Sequence, residues 1–117
     1  YLGYLGEAKC IAHFASEGWF VYTDISGKSP IDLILYKDGI TKTVQVKTCT
    51  KRTKYDTGWD VSIKSTRSNR TSNKVINFDK EAQDLLAVYL TELDIVVVKD
   101  SIDITQKSSM AILDKDL

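Results

Sequence analysis

The sequence has few of the residues that build disulfide frameworks, zinc sites or membrane spans. Its two cysteines, Cys10 and Cys49, lie far apart and form no CxxC pair, so we expect free, reduced thiols rather than a disulfide. His13 is the only histidine, and without a Cys/His cluster around it no structural zinc site is expected. No apolar run approaches the ~20 residues that a transmembrane helix needs. These absences favour a cytoplasmic protein.

Neither an internal repeat nor a linker divides the chain. Its 117 residues are enough for one modest hydrophobic core. We therefore expect residues 1–117 to form a single domain. The only proline, Pro30, stands at the start of a predicted strand, where its missing N–H is tolerated.

The formal net charge is zero, but the charges are unevenly distributed. Residues 42–74 carry nine basic and two acidic residues, a net +7, so the remainder carries −7. This pattern has two interpretations: a polyanion bound on one side, or a solvated loop whose charge is balanced by the acidic C-terminal third. The basic residues are Lys42, Lys47, Lys51, Arg52, Lys54, Lys64, Arg67, Arg70 and Lys74.

The hydrophobic pattern predicts one helix followed by a series of strands. The helix is expected from Tyr4 to Gly18, with apolar side chains at helical spacing: Leu5, Ala8, Ile11, Ala12 and Ala15. Further strands are predicted at residues 19–24, 59–64, 75–78, 85–90 and 95–99, and residues 65–74 are predicted to be a loop. We also expect one helical turn at residues 79–84. This order favours an α/β (α+β sandwich) fold with a mixed sheet.

Residues 31–49 predict a β-hairpin with a fixed register. Asp38-Gly39 is a strong two-residue turn signal, and such a turn places Asp32 opposite Gln45. Because side chains alternate along a strand, Asp32, Gln45 and Lys47 share one face. Directly opposed Cβ atoms lie about 4.5–5.5 Å apart, so an acid, an amide and an amine are brought together.

These residue types suit metal-assisted phosphodiester hydrolysis. Glu7, Asp32 and Gln45 offer side-chain oxygens and Val46 a backbone carbonyl, the ligands that a hard cation prefers. Lys47 is placed to hold the attacking water or the scissile phosphate. The alternative is a surface ion pair between Lys47 and Asp32 with Gln45 solvated.

The spacing resembles a known signature. Pro30-Ile31-Asp32 followed by Gln45-Val46-Lys47 resembles the PD-(D/E)XK nuclease motif, with one residue inserted between the proline and the aspartate. Glu7, within Gly6-Glu7-Ala8, is similar to the acid that many members carry on the first helix. The Gln-Val-Lys-Thr run and the strand before Glu92-Leu93-Asp94 resemble the intron- and phage-encoded homing endonuclease branch. The likeness extends over residues 3–99.

The resemblance implies a restriction-endonuclease-like fold, a central mixed sheet flanked by helices, and cleavage of double-stranded DNA. It implies Mg²⁺, or another divalent metal, between Glu7, Asp32 and Gln45, and no small-molecule cofactor. It further implies a homo-oligomer, dimer or tetramer, in the cytoplasm of a bacterial or phage-infected cell. Gln45 departs from the commoner Asp or Glu. A non-catalytic DNA-binding module on the same fold therefore remains an alternative. Within the enzyme class, the alternative is a Holliday-junction resolvase or another structure-specific resolvase.

The same resemblance assigns the basic segment to DNA. Residues that directly follow the predicted catalytic strand can reach neighbouring phosphates, and those interleaved with Ser, Thr and Asn can also reach base edges. The predicted DNA-binding residues are Lys51, Arg52, Lys54, Lys64, Arg67, Arg70 and Lys74.

Overall fold

The computed structural model describes residues 1–68 and 73–117. Within these ranges the chain forms one α-helix, nine β-strands and two short 3-10 turns. The helix is α1 (Leu2–Ser16). The strands are β1 (Phe20–Thr23), β2 (Leu33–Lys37), β3 (Ile40–Cys49), β4 (Gly58–Ser62), β5 (Ser65–Ser68), β6 (Asn73–Ile76), β7 (Leu85–Leu90), β8 (Ile95–Asp100) and β9 (Ser109–Leu113). The 3-10 turns are Ser101–Asp103 and Asp114–Asp116.

The α1 helix ends at Ser16 and is terminated by Gly18, the glycine that the sequence indicated. Gly18 has a positive φ of 90°, which a residue without a Cβ adopts at no steric cost. Its N–H donates to Ala15 O over 3.0 Å, and the next N–H, of Trp19, donates to Phe14 O over 3.1 Å. This pair of hydrogen bonds is a Schellman motif, so the chain turns sharply from α1 into β1.

The face of α1 that packs on the sheet differs from the predicted one. Gly6, Cys10 and Phe14 are its buried residues, whereas Ala8 and Ala12 of the predicted stripe are exposed. Small side chains at positions 6 and 10 allow the helix to approach the sheet closely. The predicted stripe relied on alanines, whose small apolar area gains little free energy from burial.

The central sheet has the strand order β1-β2-β3-β7-β8. Only β3 and β7 run parallel; the other neighbours are antiparallel. The β2–β3 hairpin has the predicted two-residue turn, since Lys37 pairs with Ile40. Asp38 and Gly39 both have positive φ, 52° and 81°, as a type I′ turn requires. The predicted register of this hairpin is confirmed.

Apolar clusters cover both faces of the central sheet. On one face, Cys10 and Phe14 of α1 pack against Leu33, Leu35 and Val44. The other face is covered by the two-stranded sheet of β4 and β9, which contributes to a second cluster. That cluster includes Cys49, Trp59, Val61, Ile63, Leu86, Val88, Leu90 and Ile112. The predicted α+β fold with a central mixed sheet is confirmed, with a small sheet rather than a helix on the second face.

Three segments differ from the sequence prediction. Residues 65–74, predicted to be a loop, contain β5 and the first two residues of β6, and the two strands pair with Ser65 opposite Ile76 and Arg67 opposite Lys74. Strand β9 was not predicted, and it pairs with β4. Instead of the predicted helical turn, residues 79–82 form a β-turn closed by a hydrogen bond of 3.2 Å from the Ala82 N–H to Asp79 O. The Glu81 N–H also donates to the Asp79 carboxylate over 2.9 Å.

The two cysteines are free thiols, as the sequence predicts. Cys10 and Cys49 are both buried. In the described ranges, no helix combines the length and the hydropathy needed to cross a bilayer.

Candidate active site

An open cleft of about 420 Å³ lies where α1, β2 and β3 meet. The cleft is lined by Glu7 of α1, by Asp32, which directly precedes β2, and by Gln45 and Lys47 of β3. The four candidate side chains from the sequence thus line one cleft. Residues of both faces of β3 line it, Val46 as well as Gln45 and Lys47, so the cleft runs over the β3 edge just beyond the end of β2.

Asp32 takes the place of a strand partner at this edge. Pairing between β2 and β3 ends at Leu33 opposite Val44, and the Asp32 N–H still donates to Val44 O over 3.1 Å. The Val46 N–H lies beyond that pair, and it donates to Asp32 Oδ2 over 2.8 Å. Since the N–H and C=O of a residue in an antiparallel ladder point to the same side, the Val46 carbonyl also faces the cleft.

The Asp32 carboxylate is half-buried, and its ionised form is disfavoured. Burial raises its pKa above the ordinary value, although the Val46 N–H and the positive charge of Lys47 act in the opposite direction. Gln45 Nε2 donates a second hydrogen bond to Asp32 Oδ2 over 2.8 Å. A cation bound beside this carboxylate would remove the cost of ionisation.

Lys47 is held away from Asp32. Its Nζ donates to the carbonyl of Lys64 over 2.8 Å, and burial lowers its pKa, with the Asp32 charge acting in the opposite direction. Among the described residues, the ion pairs within 4.0 Å do not include Lys47 with Asp32. The alternative of a surface ion pair with a solvated Gln45 therefore does not describe this site.

The donors in the cleft fit a hard divalent cation. Glu7 is half-buried, and no hydrogen bond from the described residues reaches its carboxylate or Asp32 Oδ1. Within residues 1–68 and 73–117, no cluster of three His, Cys, Asp or Glu side chains could hold a metal. The cleft instead offers two carboxylates, the Gln45 amide and the Val46 carbonyl. This all-oxygen set suits Mg²⁺, which keeps several waters and needs only one or two carboxylates.

Four residues that line the cleft were missed by the sequence interpretation: Tyr1, Gly3, Tyr4 and Thr48. Tyr4 lies three residues before Glu7 on α1, so both side chains project to the same side of the helix. Thr48 directly follows Lys47 and also lines the cleft. The helical spacing of Tyr4 was visible in the sequence, whereas the place of Thr48 depends on how α1 crosses β3.

Cys10 lies in the core beneath the cleft. Burial, together with the negative charges of Asp32 and Glu7, raises its pKa to about 12. The thiol is therefore protonated at neutral pH.

Arg52 is fully engaged within the protein. Its Nε lies 2.7 Å from Asp56 Oδ1, and its Nη2 lies 2.7 Å from Asp114 Oδ2. Its guanidinium also stacks on Trp59, 4.7 Å from the ring centroid. These contacts tie the segment after β3 to the C-terminal turn, whereas Trp59 itself is buried in the core.

The remaining predicted DNA-binding residues differ in their surroundings. Lys51 is exposed and lies 3.5 Å from the Asp60 carboxylate, and Lys54, Lys64 and Lys74 are exposed. Arg67 belongs to β5, opposite Lys74. Arg70 lies outside the described residues.

Comparison with known proteins identifies a family and a fold. A family model described as PD-(D/E)XK endonuclease matches residues 1–116. A solved structure, that of the bacterial homing endonuclease I-Ssp6803I, is similar with a TM-score of 0.80 and 24% sequence identity. The match covers 98% of this chain and 78% of that one, and at this identity it establishes the fold. No curated protein matches the chain.

Proposed function

The chain belongs to the PD-(D/E)XK endonuclease family, and from this premise we propose that it is a Mg²⁺-dependent, site-specific endonuclease of the homing type. Its reaction is the hydrolysis of phosphodiester bonds in double-stranded DNA. The observation that supports this most is the cleft lined by Glu7, Asp32, Gln45 and Lys47. Two carboxylates, an amide and an amine share this space, which is the donor set that the reaction needs.

The cation would be held by Glu7, Asp32, Gln45 and the Val46 carbonyl. When bound, Mg²⁺ supplies Lewis-acid charge at the scissile phosphate. Asp32 and Glu7 provide the negative charge that retains it, and Asp32 is kept in place by its hydrogen bonds with Val46 N and Gln45 Nε2. Gln45 would provide its amide oxygen, because the hydrogen bond to Asp32 uses the amide nitrogen.

Lys47 would act on the phosphate or on the attacking water. Its amine is oriented by the Lys64 carbonyl, and in its protonated form it offers further N–H donors to a phosphate oxygen. Because burial lowers its pKa, the amine also gives up a proton more readily than an exposed lysine. Both properties suit a group that works beside a reacting phosphate.

The DNA would lie along the basic side of the chain. The exposed lysines at positions 51, 54, 64 and 74, with Arg67 and Arg70, would bind phosphates flanking the scissile one. A single site of this kind cuts one strand, so we further propose a homo-oligomer, dimer or tetramer, that brings two sites to a duplex.

The test is cleavage of genomic DNA with Mg²⁺ and with EDTA, followed by sequencing of the ends. We expect cleavage at one or a few sites in Mg²⁺, none in EDTA, and none with Asp32→Asn or Lys47→Met at undiminished DNA affinity. Wild-type rates from Asp32→Asn would remove this cleft from consideration. Competition between a linear duplex and a four-way junction distinguishes the resolvase, and sedimentation measures the oligomeric state.

A further inference from the structure

A close contact between α1 and β3 lies directly beside the cleft. Gly6 is buried, and a Cβ added to it would overlap Thr48 Oγ1 and lie 3.2 Å from Thr48 Cβ. The Thr48 hydroxyl donates a hydrogen bond of 3.2 Å to the carbonyl of Leu2, which lies one helical turn before Gly6 on α1. The backbone of α1 therefore rests on the Thr48 side chain, with no room for a side chain at position 6.

Both residues of this contact are sequence neighbours of residues in the proposed site. Gly6 precedes Glu7, Thr48 follows Lys47, and Glu7 and Thr48 both line the cleft. Neither Asp32 nor Gln45 lies on α1: Asp32 directly precedes β2, and Gln45 belongs to β3. A shift of α1 away from β3 at position 6 would thus move Glu7 relative to the other oxygen donors.

Other contacts hold the later turns of α1 in place. Cys10 and Phe14 are packed in the core against the sheet. Lys9 Nζ lies 2.9 Å from Asp94 Oδ1 in the β7–β8 turn, and the same oxygen accepts a hydrogen bond of 2.6 Å from the Tyr89 hydroxyl. With these turns anchored, an added methyl group at position 6 would tilt the first turns of α1 rather than shift the whole helix.

We propose that Gly6 and Thr48 are positioning residues for Glu7: their contact sets the distance between α1 and β3, and with it the reach of the Glu7 carboxylate toward a bound cation. This inference rests on the proposed function, because it requires Glu7 to act on the cation. A misplacement of about 1 Å in such a site can reduce the rate about 100-fold. A glycine is required here for close approach and not for an unusual φ.

The test combines Gly6→Ala with changes at Thr48. Mn²⁺ affinity is measured without DNA by electron paramagnetic resonance, together with the melting temperature and the Mg²⁺ concentration for half-maximal cleavage. We expect Gly6→Ala to weaken Mn²⁺ binding about tenfold or more, in line with the loss of a group that orients a metal ligand. DNA affinity in EDTA should stay unchanged, because none of the predicted DNA-binding residues lies on α1.

Two double variants distinguish positioning from general damage. Gly6→Ala with Thr48→Ala removes the overlapping Oγ1 and leaves Thr48 Cβ, at 3.2 Å, as the nearest atom, so Mn²⁺ affinity should largely return. Gly6→Ala with Thr48→Val keeps the branched shape and should not recover. Gly3→Ala serves as the control for helix propensity in the melting temperature, because an added Cβ there has no heavy atom within 4 Å.

The outcomes separate this inference from the proposed function. If Glu7→Gln changes neither Mn²⁺ affinity nor cleavage, the proposed role of Glu7 is wrong. If Glu7→Gln weakens both while Gly6→Ala leaves Mn²⁺ affinity at the wild-type value, only the positioning role is overturned. If Gly6→Ala does not fold, recovery of folding and Mn²⁺ affinity by Thr48→Ala supports the inference, and failure to recover contradicts it.

Discussion

Gln45 Nε2 donates a hydrogen bond of 2.8 Å to Asp32 Oδ2 across the end of the β2–β3 hairpin. The two side chains come from residues thirteen apart in the chain, and the two-residue turn at Asp38-Gly39 brings them together. Gln45 thus acts as a donor to a carboxylate that burial makes costly to ionise. The amide oxygen of Gln45 is a separate atom from the nitrogen that makes this hydrogen bond, so it can still serve as a ligand.

The first prediction concerns Gln45. Gln45→Glu adds a carboxylate and should lower the Mg²⁺ concentration for half-maximal cleavage, since opposite charges attract strongly in a partly water-excluded site. Gln45→Ala should raise it about tenfold or more. Equal half-maximal concentrations in wild type and both variants would mean that Gln45 does not contact the metal.

A related effect of Gln45→Glu is expected without metal. Two carboxylates in contact repel each other, so at least one pKa rises and the folded state is destabilised at neutral pH. The melting temperature in EDTA should be below that of wild type at pH 7 and should approach it as the pH falls and one carboxyl group takes up a proton. Addition of Mg²⁺ should raise it more in this variant than in wild type.

The second prediction concerns Asp32 and the stability of the metal-free protein. Its pKa in the folded state is raised by burial, so stability decreases as the pH rises through the window above the ordinary value of about 4. Asp32→Asn removes that cost. In EDTA at pH 7 it should melt a few degrees above wild type, and the difference should vanish below about pH 4.

Asp24→Asn is the matched control for Asp32→Asn. Hydrogen bonds from Ser29, Ser26 and Lys28 lower the pKa of Asp24 to about 2. Its contribution to stability is therefore present above the ordinary Asp pKa and lost as the pH falls through the lowered value. Asp24→Asn should melt below wild type at pH 7. If both variants changed the melting temperature at pH 7 in the same direction, the opposite pKa shifts of Asp32 and Asp24 would be contradicted.

The third prediction concerns DNA binding by the basic segment. A plot of log K against log salt has a negative slope, and each phosphate contact that is lost should reduce the magnitude of that slope by about 0.9. The double variant Arg67→Ala/Arg70→Ala should therefore reduce both the DNA affinity and the magnitude of the slope. The measurement is a salt titration of DNA binding in EDTA, in which the DNA is not cleaved. An unchanged slope and affinity would mean that the net +7 segment is a solvated surface.

The fourth prediction separates Arg52 from the other basic residues. Because its guanidinium is engaged by Asp56 and Asp114 and stacks on Trp59, Arg52→Ala should lower the melting temperature while the salt slope of DNA binding stays the same. Lys54→Ala, at an exposed lysine, should have the opposite pattern. If Arg52→Ala reduced the magnitude of the salt slope, Arg52 would have to leave Asp56 and Asp114 and bind a DNA phosphate.

The sequence by itself determined the local geometry of the site. A two-residue turn with positive φ at Asp38 and Gly39 fixes the register of the hairpin, and alternation along β3 then decides which residues share a face with Asp32. Both are properties of neighbouring residues, so no distant part of the chain is needed to predict them. The end of α1 at Gly18 was predictable for the same reason.

Only the tertiary structure decided what these elements pack against. Which face of α1 is buried depends on the fit of Gly6, Cys10 and Phe14 to the sheet, and small residues leave no strong hydrophobic pattern. Arg52 has the same charge as its neighbours, but its partner Asp114 is 62 residues away. Burial of Asp32 and Lys47, and hence the direction of their pKa shifts, likewise arises from surfaces that are contributed by distant segments. Sequence patterns report local conformation, whereas burial and charge pairing are fixed by the assembled fold.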